Sequence, residues 1–402
     1  MKKRVSILVI ALVILFFILL SLYSTDKLPK LTEKKEIKTI KIGFLGDLTH
    51  GRLGQGALLG AQIAADELNS NAETTGNKIE LIAYDTKNQS DLIETYFAKL
   101  ANEDKVLAII SAHPNRGPFA TNNKVPAIIT GIDMLKPQRR TPFYYGLRLS
   151  YIIDDAVFQA VKRLKREASI KTAIIVTDNA QLRNRYISAM KEVLPRLNTS
   201  LLGIYKLDED IPSLISKIKE SNPDMVVLST NSDNAIKFLK EAKNKDLKPK
   251  IFLGGYRVSA RDLKAQYQDL PETLYIHNYI TSVDRASMPT NLNRFMSFDK
   301  KIVGRTNART RSASLNSYDA MNILNFMLTE KAPISNTPDS LQKDREGIVK
   351  ALWAARGYRT LRGSLSADGK TGFLRRNFYK IAKIENGQVS SLIGTVRGPF
   401  NA

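Results

Sequence analysis

The chain has 402 residues, too many for one ordinary compact core and enough for two lobes of ordinary size. Its 43% hydrophobic and 25% charged content is that of a globular protein, and the absence of cysteine excludes disulfides, a thiol nucleophile, a lipid-bearing cysteine and thiolate zinc sites. A net charge of +22 ordinarily points to nucleic acid, but no recognition motif accompanies it. Anionic lipid headgroups or envelope polymers are the expected partners instead, with a generally basic proteome as the bland alternative.

Met1-Lys2-Lys3-Arg4 leads into an apolar run, Val5 to Tyr23, interrupted only by Ser6 and Ser21. A bilayer needs about 20 apolar residues, so with its flanks this run just reaches across. Leu20-Ser21-Leu22-Tyr23-Ser24-Thr25 is a poor cleavage exit. The expectation is therefore an uncleaved signal anchor at 1–24, a transmembrane helix, in preference to a cleaved leader. Residues 25–38, charged and holding one proline, read as a solvated tether. Lysines flank both ends of the run, so charge does not set its orientation.

The segment Ile40 to Asn69 organises the rest of the chain. A short apolar strand, Ile40 to Gly46, precedes a loop containing Asp47, Thr49, His50, Gly51 and Gly54. The next helix carries Ala57, Gly60, Ala61, Ala64 and Leu68 at the spacing of one helical face, and small residues there let it lie close against a sheet. Strand Lys78 to Tyr84 completes a β-α-β unit of parallel type. Helix Asp91 to Asn102, strand Val106 to Ile110, helix Gly117 to Asn122 and strand Val125 to Thr130 extend it into one doubly wound lobe.

Phe143 to Arg148 reads as a crossing into a second lobe. That lobe repeats the alternation: helix 152–165, strand 172–177, helix 181–194, strand 201–205, helix 211–220, strand 224–229, helix 234–242, and strands 250–253 and 273–279. Helices 291–302, 314–328 and 341–355 come next, then strands 359–361 and 377–383. A parallel sheet places its ligand crevice beyond the carboxyl ends of its strands, which puts the Asp47–Gly54 loop at the site.

Catalysis has little to work with. The three histidines, His50, His113 and His277, fall in separate elements without metal-ligand spacing, and no G-x-S-x-G elbow appears. Gly54-Gln55-Gly56 through Gly60, with acidic Asp85 after the second strand, raises a dinucleotide reading. Seven residues, Asp47 to Leu53, separate the strand from those glycines, which argues against it. No enzyme, cofactor or metal is expected. Helix-start amides at Gln55 and Gly56, and again after Ser111, suit an anion such as a carboxylate.

The order Asp47-Leu48-Thr49-His50-Gly51, Gln55 and Gly60-Ala61-Gln62-Ile63-Ala64 resembles the opening of type I periplasmic binding proteins, the branched-chain amino-acid-binding branch in particular. Asp47 stands where that family has proline. Ser317-Tyr318-Asp319-Ala320 and the tail Gly363 to Gly369 are similar to two later family motifs, so the resemblance runs from Ile40 to Val396. It implies an α/β fold of two doubly wound parallel-sheet lobes joined by a multi-crossing hinge. Residues 39–147 and 281–357 would form lobe 1, and 148–280 and 358–402 lobe 2.

It also implies an extracytoplasmic solute-binding protein, which the apolar run Val5 to Tyr23 would anchor in the cytoplasmic membrane. Such a protein captures an amino acid or a related amide or carboxylate and delivers it to an ABC permease. The alternative is a membrane-anchored receptor-like or envelope-surface protein with the same fold and no transport role.

Carried onto this sequence, the site comprises Thr49, His50, Ser111, His113, Asn115, Arg116, Thr130, Ile132, Asp133, Asn179, Leu182, Asn231 and Tyr256. Ser111 or Asn115 and nearby amides would take a carboxylate. Asp133 either accepts an ammonium group or caps the following turn. Leu182 replaces the family's aromatic lid, and the acid that relatives often place near Tyr256 is missing. A buried cation without countercharge is costly, which puts an ordinary α-amino acid held in the usual way in doubt. An arginine such as Arg116, Arg148 or Arg257 in the pocket would favour an anionic or neutral ligand.

Overall fold

The computed structural model describes residues 37–113, 117–131, 144–149, 153–178, 181–207, 210–255, 258, 262–263, 266–278, 292–306, 312–332, 334–361, 363–369, 371–372, 374–376, 380–385 and 388–393. The expected anchor and tether lie outside them, and among the described residues no helix is long and apolar enough to cross a membrane.

The chain opens with β1 (Lys38–Gly46), whose Ile40, Ile42, Phe44 and Leu45 are fully buried. A strand apolar on both faces belongs in the middle of a covered parallel sheet. It pairs in parallel with β2 (Asn77–Asp85), Ile42 opposite Leu81, and on its other side with β3 (Ala108–Ser111). Between them run α1 (Arg52–Asn69), a one-turn helix Ala72–Thr75, and α2 (Ser90–Asn102). The helix α3 (Gly117–Asn122), then β4 (Ala127–Ile129) and β5 (Gly146–Arg148) complete a five-stranded, all-parallel sheet in the order β2-β1-β3-β4-β5. The segment expected to cross between lobes therefore contributes a strand to the first one.

The second sheet begins after α4 (Ile153–Ala168) with β6 (Thr172–Thr177), α5 (Gln181–Arg196), β7 (Ser200–Lys206), α6 (Ile211–Ser221) and β8 (Met225–Ser229). It continues with α7 (Ser232–Asn244), β9 (Ile251–Gly254) and β10 (Leu274–Asn278). Alternation along β6 divides the core: Ala173 and Ile175 face Val161, Tyr186 and Met190, while Ile174 and Val176 face Ile215, Phe238 and Leu239. Helices thus cover both faces, the doubly wound arrangement.

The chain then returns to the first core with α8 (Leu292–Thr306) and α9 (Ser312–Phe326), which runs into a π-helical turn, Met327–Lys331. The small-residue stripe of α1 meets α9 here. A Cβ on Gly60 would stand 2.0 Å from the Ser314 carbonyl oxygen, so the stripe is spent on helix–helix contact rather than on the sheet alone. Next come α10 (Leu341–Trp353) and the antiparallel strands β11 (Tyr358–Thr360), β12 (Gly363–Ala367) and β13 (Leu374–Arg376), a separate three-stranded sheet.

Leu361, Leu365 and Leu374 are buried in the first core, so the assignment of everything from 358 onward to lobe 2 needs correction. Among the described residues from 358 onward, only β14 (Lys380–Glu385) and β15 (Gln388–Ile393) join the second sheet, β14 antiparallel to β10 and β15 antiparallel to β14 at one edge. That sheet reads β15-β14-β10-β9-β8-β6-β7.

Candidate functional site

Parallel strands bring their carboxyl ends to one edge, so β1 to β4 deliver their following loops together. Thr49 and His50 are exposed on the loop after β1. The Thr49 hydroxyl donates to the Asp85 carboxylate at the end of β2, and the Leu48 and Lys87 N–H groups donate to it at 2.9 Å each. Burial alone would push this carboxyl up, but the hydrogen bonds from Thr49 and the backbone outweigh it and hold it at about 2.

The His50 N–H donates to the Asp47 carboxylate at 3.0 Å. A Cβ on Gly54 would meet the Asp47 carbonyl oxygen at 2.1 Å. That glycine is required by the loop folding back on the helix start, which accounts for it without a nucleotide.

Ser111 ends β3 and Thr130 directly follows its neighbour β4, and both are buried. Thr130 donates its N–H at 2.7 Å and its hydroxyl at 3.2 Å to the Ser111 carbonyl. The Thr130 carbonyl accepts from the Asn316 amide at 3.2 Å, and its hydroxyl lies 3.2 Å from that of Ser317. The start of α9 is thereby tied to the sheet edge by a buried polar knot. His113, also buried, sits 2.6 Å from the Thr86 hydroxyl through Nε2, and its N–H donates to the Ser111 hydroxyl at 3.3 Å. These groups hold the edge in shape, with their hydrogen bonds made inside the protein.

In the second lobe the corresponding edge carries Thr177, Asp178, Ser229, Thr230 and Asn231. Asn231 caps α7, its side chain accepting from the Asn234 N–H at 2.8 Å. Asp178 accepts from the Asn234 side-chain amide at 3.1 Å and from the Asn231 N–H at 3.4 Å. The Ser229 hydroxyl is buried and finds no hydrogen-bond partner among the described residues. Such a group is costly unless something else satisfies it.

Of the remaining expected residues, Asn115, Arg116, Ile132, Asp133, Asn179 and Tyr256 lie outside the described residues, as does the side chain of Leu182, which falls in α5. Arg148 is buried at the end of β5, its N–H donating to the Gly372 carbonyl at 3.0 Å. Sequence reasoning missed Asn316 and Ser229 altogether and saw Asp85 only as a nucleotide ligand. The signal of Asn316 and Ser229 is weak, because neutral side chains at strand and helix ends are ordinary caps. Among the described residues no group of three or more His, Asp or Glu is placed to hold a metal ion.

The family model described as periplasmic binding protein matches residues 39–388. No curated protein matches the chain in sequence. Solved structures share the fold at low identity. The branched-chain amino acid transporter substrate-binding protein LivJ from Streptococcus pneumoniae, in complex with isoleucine, is 16% identical with a TM-score of 0.62, covering 88% of this chain and 99% of its own. The leucine-binding protein LivK from Thermotoga maritima is 18% identical with a TM-score of 0.58, covering 88% and 99%. A branched-chain amino acid ABC transporter periplasmic ligand-binding protein from Burkholderia xenovorans is 14% identical with a TM-score of 0.68, covering 90% and 96%. With most of its length inside the family model, the chain belongs to the periplasmic binding protein family.

Proposed function

We propose that the protein is an extracytoplasmic solute-binding protein that captures a small molecule, an amino acid or a related amide or carboxylate, between its two lobes. It would hand that molecule to an ABC permease and carry out no reaction of its own. The observation that carries this reading is the collection of small neutral polar groups at the carboxyl edges of both sheets, above all the buried hydroxyl of Ser229, which finds no partner among the described residues. Ligand-binding relatives with the same fold, one in complex with isoleucine and another a leucine-binding protein, support the amino-acid class. The expected contacts Asn115, Arg116, Ile132, Asp133, Asn179, Leu182 and Tyr256 belong to this proposal, with Ser111 and Thr130 acting as supports of the edge rather than as direct ligands.

The apolar run Val5 to Tyr23 supports an anchor in the cytoplasmic membrane, and the charge of +22 supports contact with anionic lipid or envelope polymer. A receptor-like or envelope-surface role without transport is the second reading. It is favoured by Leu182 and Arg183 standing where relatives carry an aromatic residue and a glycine.

The test is thermal shift on residues 25–402 against amino acids, amides, ureas, dicarboxylates and sugars. A ligand at 100 times its Kd adds about 2.7 kcal/mol to the folded state. A rise with one class, abolished by Ser229→Leu, is the expected result. A folded, monodisperse protein that shifts with nothing would overturn the transport reading and leave the partner-binding one.

A further inference from the structure

A second recess lies away from the carboxyl edges, at the far end of α9. Its volume is about 780 Å³, within the roughly 300–1,000 Å³ of small-molecule sites. From Ser317 at the sheet edge to Phe326 at the recess, α9 climbs nine residues, about 14 Å at 1.5 Å per residue. The two places are therefore distinct.

The floor is apolar: Phe326, Met327, Ala351, Ala355 and Tyr358. The Phe326 and Tyr358 rings meet at 5.1 Å and 43°. The rim holds Arg294, Lys331, Arg356 and Arg359, all exposed, and among the described residues no acid lines the recess. The carboxylate whose field reaches Tyr358 is that of buried Asp319, which is turned to the backbone and accepts the Leu361 N–H at 3.0 Å.

The π-helical turn shapes this recess. The Ala332 N–H reaches five residues back to the Met327 carbonyl at 2.7 Å, so Lys331 sits one position off helical register, with its Nζ 5.5 Å from the Phe326 ring centre. Such insertions carry a helix cost and recur at functional sites. Arg294 is held by Asn322 at 3.0 Å, and Arg356 by the Trp353 and Ala355 carbonyls at 3.2 and 2.8 Å. The Arg359 guanidinium makes no hydrogen bond or ion pair among the described residues. Burial first, and then the field of Asp319, push the Tyr358 phenol up to about 12, so it stays a neutral O–H donor.

We propose that this recess is a second ligand site, which takes a small organic anion with a flat apolar body, such as an aromatic carboxylate or phosphate. The ring pair supplies the surface for the apolar body. The four rim cations supply the countercharge, with guanidinium forks suited to a carboxylate or phosphate.

The experiment titrates the full-length chain with phenyl phosphate by calorimetry and maps the complex by hydrogen exchange. Saturable binding that protects 326–331 and 351–359 is expected. Phenol and inorganic phosphate should each bind roughly tenfold more weakly, since each keeps only one half of the recognition. Charge reversal in Lys331→Glu with Arg359→Glu should weaken phenyl phosphate by more than about tenfold, while Arg359→Lys retains most of it. Both positions are exposed, and an unchanged melting temperature establishes that the variants fold.

Three results would overturn the proposal: no saturation, protection confined to the sheet edge around 111–131, or equal binding by the charge-reversed variant. Thermal shift of that same variant with the solute library reads the interlobe site separately.

Discussion

At the scale of single residues, one missing methyl group sets the distance between two helices. An alanine at Gly60 would put its Cβ 2.0 Å from the Ser314 carbonyl oxygen, a backbone atom that cannot rotate away. Overpacking of this kind costs about 1–3 kcal/mol. Gly60→Ala should lower the stability read from urea unfolding by that amount, and an unchanged midpoint would show that α9 slides freely. The shift would also reach the site, because Asn316 and Ser317 lie just beyond Ser314 and hold Thr130.

Asp85 gives a pH signature. Its carboxyl sits at about 2 in the folded protein against an ordinary 3.8, so it contributes stability above about pH 4 and loses it as pH falls toward 2. Asp85→Asn should be less stable at neutral pH and should flatten the acid limb of the stability curve. A variant curve parallel to the parent between pH 4 and pH 2 would exclude that role.

At the scale of elements, the start of the chain was readable because its patterns are strong. An apolar run flanked by turn residues reads as a covered strand, and the stripe from Ala57 to Ala64 reads as a packed helix face. The strands β11 to β13 were harder, since Tyr358-Arg359-Thr360 and Leu374-Arg375-Arg376 are short and mixed in polarity. Their place in the first core depends on Leu361, Leu365 and Leu374 meeting residues far away in sequence.

The site was legible as loops following strands and illegible as contacts. Thr130 and Asn316 are 186 positions apart, and no local pattern joins them. Arg345 shows the same limit. In sequence it is one more base in a basic helix, yet it is buried and donates to the Ala101 carbonyl at 2.7 Å and to the Val106 carbonyl at 2.7 and 3.0 Å. It thereby closes the C-terminal end of α2, and burial pulls its guanidinium down to about 10. Arg345→Ala strands two buried carbonyls and should cost about 3 kcal/mol in chemical unfolding, well beyond a surface arginine. A loss under roughly 0.5 kcal/mol would show that water replaces it.

At the scale of the whole molecule, the two sheets have separate cores. Phe44, Phe97, Tyr318 and Leu352 belong to one, and Tyr186, Met190, Phe238 and Phe252 to the layers of the other. The chain nevertheless passes between them more than once, leaving the first sheet after β5, returning at α8 and leaving again before β14. Covalent crossings join lobes whose buried apolar residues, among the described residues, fall into separate clusters, so their stabilities need not be equal.

Arg345→Ala separates these possibilities because its contacts lie wholly in the first core. Under native conditions, amides of β1, β3 and β4 should exchange faster in the variant by the full loss of stability. Amides of β6, β8 and β9 should keep their parent rates, since their cores lose nothing. If both sets accelerate equally, the molecule opens as a single cooperative unit. The crossings would then transmit stability as well as geometry, and solute captured between the lobes would protect both cores together.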